Sequence, residues 1–416
     1  MRIDLPRLLG GFHRGARDAM ALTPPRHVRR LLVPLPSTRF GGTERHTAEL
    51  AARLGQHGVA VTLAAEPALL PLLAAAMPPG QPAPRLLPAR LGWDDAVPPA
   101  VAIARQRAGT EALLVAESPD LVLLPLPWPD AGLGVMRAVA GRGLPRLVAL
   151  HLAAEGPPPP AIATELPALD AEGAAWAAVS APVARRAAAA FGLAPSRITV
   201  IDNPAPRAGT EGRDAARAAL RTRLGLRDDQ PLLIFVGRLE EAKGADLLPA
   251  LTDRLNLPIA VLGDGLLLGH LEAEARGDPR GLLRLMGQVA DPGPWYRAAD
   301  ALILPSRLEG APLVFLEAAA HHCPVVASPA ALEGLGPDAP RLARLAAAGD
   351  AAALADAARA LLADPAGTAA MVARAAAEAA RRSWPRALGA WLGQLRLAAA
   401  LASPHHAPLA FPETAA

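Results

Sequence analysis

A chain of 416 residues with an apolar fraction of 52% exceeds one ordinary core and calls for two domains. The formal net charge of +3 gives no concentrated basic surface of the kind that marks a nucleic-acid binder, and no run of about 18 apolar residues suggests a membrane span. The single cysteine, Cys323, excludes an intramolecular disulfide framework and fits a reducing compartment. It lies in His321-His322-Cys323, where adjacent residues converge poorly on one metal, so it reads as a buried structural thiol.

Residues 1–29 form a basic extension, with Arg2, Arg7, Arg14, Arg17, Arg26 and Arg29 among Leu5, Leu8, Leu9 and Phe12, and without a secretory apolar segment. A strip lying on anionic lipid, a disordered extension and a start codon placed too early all fit this composition. The first buried strand is expected over residues 30–35. A turn through Gly41 and Gly42 follows, then a helix over 43–56 and a strand over 59–64, which together form a βαβ opening. The third glycine of a dinucleotide fingerprint is missing. Continuous Leu and Val runs predict strands over 120–126 and 146–151, the second ending on His151 at the carboxyl edge where ligands gather in α/β sheets. Further strands are expected over 176–180 and 197–201, with a helix to Phe191 between them.

Asn203-Pro-Ala-Pro206 ends this alternation, which places a first domain at 30–205 and a second at 206–382. In the second, a helix over 213–224 precedes strands over 232–236, 258–262, 282–286, 300–304 and 324–327, with helices in the gaps, one beginning near Ala245. Beyond Asp350 the chain reads as helical to about residue 402, interrupted at Pro365 and Pro385, and then as a frayed tail.

The stretch after the strand over 300–304 holds Glu309 and Glu317 separated by seven residues, with Gly310 and Pro312 between them. Strand, tight loop and helix is the expected geometry, with backbone N–H groups and a helix dipole aimed at one point, as suits a phosphate. Carboxylates accept hydrogen bonds from sugar hydroxyls. An ordinary βα turn with two solvated glutamates fits the same stretch taken alone. Arg238 and Lys243 leave another strand end of the same domain and offer a fork and a point charge to phosphate oxygens. Two cations and two carboxylates in one cleft describe a nucleotide-sugar pocket.

The chain resembles the retaining glycosyltransferases of the GT-B fold, in the group called family four or glycosyl transferases group 1. The matching pieces, in order, are Phe40-Gly41-Gly42-Thr-Glu44, the strand ending at His151, Val179-Ser180, Val200-Ile-Asp-Asn203, Phe235-Val-Gly-Arg238 through Lys243-Gly244, Gly263-Asp-Gly265, and Glu309-Gly-Ala-Pro-Leu-Val-Phe-Leu-Glu317 through Pro324-Val-Val-Ala327. The resemblance implies an α/β fold of two Rossmann-like, doubly wound parallel-sheet domains facing across a cleft, with residues 383–416 crossing back to the first. It also implies transfer of a hexose from a nucleoside-diphosphate sugar to a saccharide or lipid-linked saccharide hydroxyl with retention, in bacterial surface polysaccharide or glycolipid synthesis. The place of action would be the cytoplasm, possible peripheral contact with anionic membrane included.

Position by position, the resemblance implies that Arg238 and Lys243 bind the donor diphosphate and stabilise leaving-group charge. Glu309 would contact the transferred sugar, Glu317 the ribose, and His151 would lie by the donor sugar. Backbone N–H groups around Gly310, Ala311, Pro312, Leu313 and Val314 would meet sugar and phosphate. Gly41 and Gly42 would bring backbone to the phosphates and acceptor, the Gly263 turn would border the donor, and Gly287 to Val289 would face the base. No cofactor and no divalent metal is expected: front-face substitution needs no dedicated protein base, and no Asp-x-Asp pair occurs in the sequence. Ala311 departs from the larger residue common in the family, and Pro204 and His321-His322 depart as well. An epimerase or phosphorylase on the same fold, or a non-catalytic binding module, remains as an alternative reading.

Overall fold

In the computed structural model, residues 28–94, 96–158, 163, 169, 174–207 and 209–401 are described. Residues 1–27 of the basic extension and the expected tail lie outside them. The described chain forms two parallel sheets. The first contains β1 (Arg30–Pro34), β2 (Ala60–Ala65), β3 (Arg85–Pro88), β4 (Leu121–Leu126), β5 (Arg146–Leu150), β6 (Ala175–Ala178) and β7 (Ile198–Val200), in the order β3-β2-β1-β4-β5-β6-β7. The second contains β8 (Leu233–Val236), β9 (Ile259–Leu262), β10 (Leu283–Gly287), β11 (Ala301–Leu304), β12 (Val325–Ala327) and β13 (Arg344–Leu345), in the order β10-β9-β8-β11-β12-β13. Both orders reverse direction once, at β1/β4 and at β8/β11, and each reversal opens a crevice at the carboxyl edge.

The strands are nearly continuous apolar runs because helices cover both faces of each sheet. One core packs either side of the first sheet, around Leu32 and Trp176 on one face and Val33 and Leu147 on the other; the second sheet is built the same way around Ile234 and Phe235. A proline in a central strand needs an explanation. Amides of Val122 and, past the strand end, His151 show that the β4/β5 ladder uses even positions of β4, leaving odd positions to face β1. β1 pairs with β4 only at Leu31 and Leu32, so the N–H that Pro125 lacks points where the two strands have already parted.

Four helices matter for the site: α1 (Gly42–Gly55), α2 (Ala181–Phe191), α3 (Leu313–Ala320) and α4 (Trp384–Leu401). The connection through Asn203 to Pro206 and the return through Arg382 run side by side, tied by the Ala205 amide to the Arg382 carbonyl at 2.6 Å and by Arg382 to Asp202 at 3.1 Å. α4 then places Ala387, Leu388, Trp391, Leu392, Leu395 and Ala398, one helical stripe, into the core of the first sheet. The strands match the expected ones to within a residue or two at each end. Differences lie elsewhere: β3 and β13 were not foreseen, Pro365 starts the helix Pro365–Arg381 at a position that suits it, and the helix expected from Ala245 is a short 3-10 turn before Leu248–Leu255.

Because Trp391 is 1% exposed, Trp391→Ala should cost about 3–5 kcal/mol in urea unfolding. A loss near zero would mean that α4 is not seated on the first sheet in solution.

Candidate active site

β8 and β11 are neighbours at the second reversal, and their carboxyl ends carry the residues of interest. After β8 the chain turns through Gly237 and Arg238 into a 3-10 turn ending at Lys243; after β11 it runs through Ser306 to Glu309. Gly244 takes φ +72° directly against Pro305, where a Cβ would come within 2.5 Å of the Pro305 carbonyl oxygen. This close approach brings the two turns together. Lys243 Nζ donates to Glu309 Oε1 at 2.6 Å, and Ser306 Oγ donates to the same oxygen at 2.9 Å. Arg238 lies 3.5 Å from Glu240, which also accepts from Arg39 of the first domain at 2.9 Å.

Gly263 supports this edge. A Cβ there would fall 1.9 Å from the Gly237 carbonyl oxygen, so the β9 turn lies flat against the β8 turn. The Gly263 amide donates to Gly287 at the end of β10, which extends the ledge toward partly buried Val289.

Residues 309–312 cross to the first domain. Ser180, the N-cap of α2, donates its hydroxyl to the Gly310 carbonyl at 2.6 Å, and Asn203 Nδ2 donates to the Ala311 carbonyl at 3.0 Å. The position of a Gly310 Cβ is filled by the His151 carbonyl oxygen at 1.8 Å. With carbonyls committed to the first domain, the loop enters α3 after Pro312 without any side-chain cap on its first turn. The first-turn amides of Leu313 and Val314 are therefore suited to an anion. Gly41 and Gly42 face them from the first domain: a Cβ on Gly41 would sit 3.5 Å from Arg238 Nε, and one on Gly42 3.5 Å from Leu313.

The structure thus gathers Arg238, Lys243, Glu309, Gly310, Leu313, Gly41 and Gly42 at one place. Ala311 is buried in the first domain's core beside residues of α2, so its small size serves the domain contact. His151 adjoins Gly310 through its backbone, while its ring packs 5.2 Å from that of His46. Glu317 lies one turn along α3. Its Oε1 accepts from Arg45 at 2.8 Å and its Oε2 from Tyr296 at 2.8 Å. Behind Glu317 a cavity of about 150 Å³ opens toward Pro204, His321 and Trp384.

Burial sets the charges here. It raises the Glu44 carboxyl, although the Ser37 hydroxyl at 2.5 Å and the Arg238 charge favour the carboxylate. Burial and then the Glu317 charge push the Tyr296 phenol well above its ordinary value, so it donates to Glu317. Burial opposes the charge of Arg45, but Glu317 outweighs it and holds the guanidinium protonated. Burial pushes Cys323 up to about 12, as an inert thiol would be.

Sequence reasoning assigned no role to Arg45, Tyr296, Ser306, Ser180 or Asn203. One signal was available: Arg45, Glu49 and Arg53 form a charged i, i+4, i+8 row on an otherwise well-buried helix. His321-His322 also gained a part. His321 stacks on Tyr296 at 5.9 Å, and His322 takes φ +56° to end α3.

Two parallel-sheet domains of this order, joined by a double crossing and meeting at a cleft that carries Arg238 and Lys243, define the GT-B fold. Residues 230–364 match the model of "Glycosyl transferases group 1" and residues 40–207 that of "Glycosyltransferase Family 4". A D-inositol 3-phosphate glycosyltransferase of Catenulispora acidiphila is 31% identical over 305 residues, covering 65% of this chain and 71% of the relative. The chain belongs to glycosyltransferase family 4. Anabaena HepE in complex with UDP and glucose superposes with a TM-score of 0.68 at 20% identity, over 88% of this chain and 98% of that one. WaaG, a glycosyltransferase involved in lipopolysaccharide biosynthesis, gives 0.64 at 16% identity, over 90% and 99%. Both are likenesses of fold.

Burial pushes the His46 imidazole down to about 4, and His151 is lowered well below its ordinary value by burial and then by His46. Both stay neutral in the folded protein, whereas unfolded histidine takes up a proton near pH 6.5. Their contribution to stability is therefore complete above about pH 6.5 and is lost as pH falls toward 4. His46→Phe should reduce the stability lost between pH 7 and 4.5 by about 2 kcal/mol in urea titrations. An equal pH dependence in both proteins would contradict a buried neutral His46.

Proposed function

We propose that the enzyme transfers a hexose from a nucleoside-diphosphate sugar to an acceptor hydroxyl with retention of configuration. The observation that carries this is the Lys243–Glu309 pair at 2.6 Å beside Arg238 and the uncapped first turn of α3. A bound diphosphate would draw Lys243 and Arg238 to its oxygens, and the amides of α3 would complete the cradle. Glu309, kept in place by Ser306, would then accept a hydroxyl of the transferred sugar. Glu317 would accept the ribose hydroxyls, and Gly287 to Val289 would border the base.

In the reaction the bond from the anomeric carbon to the diphosphate breaks and the acceptor oxygen bonds to that carbon on the same face. The acceptor proton passes to a donor phosphate oxygen, so no protein base is consumed. Charge grows on the leaving diphosphate, and Lys243 and Arg238 stabilise it in a preorganised site. His151, neutral and wedged behind Gly310, would border the donor sugar. We infer no resident metal and no cofactor, since the cations at hand can neutralise the diphosphate and the sequence lacks an Asp-x-Asp pair.

The HepE complexes with UDP and UDP-glucose support a nucleotide-sugar donor. For the acceptor we propose a saccharide or lipid-linked saccharide of bacterial surface polysaccharide or glycolipid synthesis, reached in the cytoplasm at the inner membrane face. The arginine-rich segment before Arg30 would favour that face. The relative named for D-inositol 3-phosphate supports a second reading, a phosphorylated polyol acceptor.

A thermal-shift screen with UDP, GDP, ADP and their sugars identifies the donor, because a bound ligand raises the melting temperature by mass action. Transfer from that donor to membrane extract or to inositol 3-phosphate should then appear and persist in EDTA. Lys243→Ala and Glu309→Ala should each lower kcat by about 10²–10³-fold with the circular dichroism spectrum unchanged. Wild-type turnover in either variant would remove that residue from the mechanism.

A further inference from the structure

Arg45 stands at this site without a part in the reaction just described, yet it makes the most specific contact there. It belongs to α1 of the first domain, and its Nη1 donates at 2.8 Å to Glu317 of the second, 272 residues away. Tyr296 donates to the other oxygen of the same carboxylate at 2.8 Å. A carboxylate offers about four lone-pair directions, so one on each oxygen remains. Two remaining acceptors on neighbouring oxygens match the two adjacent hydroxyls of a ribose.

A glutamate carboxyl rotates over a broad terminal torsion when nothing holds it. One donor on each oxygen fixes that rotation. The holding pair is well screened from solvent, with the Arg45 side chain 30% exposed and that of Glu317 15%. Arg45 is itself braced along α1. Glu49 follows one turn on, Arg53 pairs with Glu49 at 3.2 Å, and the Arg53 guanidinium lies 3.9 Å over the ring of Trp384, where the chain crosses back between domains. A row of charges thus runs from Glu317 to the domain crossing.

We propose that Arg45 is a positioning residue for Glu317: the acceptor domain supplies the contact that aims the ribose-binding carboxylate of the donor domain. Nucleotide affinity then depends on how the two domains are seated. The proposal rests on the reading of Glu317 as the ribose ligand. A plain interdomain clasp is the competing role for the same ion pair, and it would act on every ligand alike.

The test measures dissociation constants by calorimetry for UDP, GDP and ADP, each beside its 2′,3′-dideoxy counterpart, in the full-length protein. In the wild type the preferred nucleotide should bind about 10–100-fold tighter than its dideoxy form, as expected for hydrogen bonds to a charged acceptor. Arg45→Met, which keeps the apolar stem, should shrink that ratio to within about threefold while leaving the dideoxy affinity unchanged, and Arg45→Lys should restore part of it. Equal weakening of both ligands by Arg45→Met would leave only a clasp and overturn the proposal, as would an unaltered ratio. If the wild type does not distinguish the two ligands, the ribose reading of Glu317 fails first and the proposal falls with it. Should Arg45→Met fail to fold, Arg45→Gln removes the charge while keeping a polar side chain at the domain contact: a smaller ratio supports the proposal, and an undiminished one overturns it.

Discussion

The contact on which the arrangement depends is the seating of residues 309–312 of the second domain on the first. At Gly310 the His151 carbonyl oxygen fills the space of a side chain, and the Ser180 hydroxyl holds the Gly310 carbonyl. Asn203, at the start of the domain connection, holds the next carbonyl. With the loop pinned on its far side, Glu309 faces Lys243 and the first turn of α3 opens toward Gly41 and Gly42. The site is therefore a product of the domain contact as much as of either sheet.

The same economy appears in the hydrogen bonds. Ser180 caps α2 and grips Gly310; Glu240 accepts from Arg39 across the cleft and lies beside Arg238; Glu317 accepts from both domains. Each of these groups fixes a local element and the relation between domains together. Buried polar groups satisfied in this way stabilise one geometry and penalise others, because separating the domains would strand them. His46 departs from this pattern: neither ring nitrogen has a hydrogen-bond partner, nor has the neighbouring Trp391 Nε1, and His46 is tolerated as a neutral ring among His151, Trp384 and Trp391.

Much of this was legible in the chain. Strands buried on both faces must be continuous apolar runs, so β4, β5, β8 and β11 declared themselves, and glycine turns at their carboxyl ends located the crevice. The spacing of Glu309 and Glu317 around Gly310 located the loop and helix. β3 was not legible because two of its four residues are exposed and the other two only partly buried, and β13 because two residues carry no period. Partners such as Arg45 and Glu317, or Ser180 and Gly310, were beyond reach for another reason. Their pairing follows from how two domains dock, and nothing in local pattern encodes that distance. Ala311 shows the consequence: beside the proposed sugar site in sequence, its side chain is packed into the opposite domain's core.

The loop's seat on His151 is the contact that aligns the proposed site. Gly310→Ala tests this most directly, since the added methyl would lie 1.8 Å from the His151 carbonyl oxygen and must displace the loop. Single-turnover transfer from the preferred donor should fall by about 100-fold, the loss expected for a displacement near 1 Å, with both domains still folded. Transfer at the wild-type rate would contradict the claim that the domain contact builds the site.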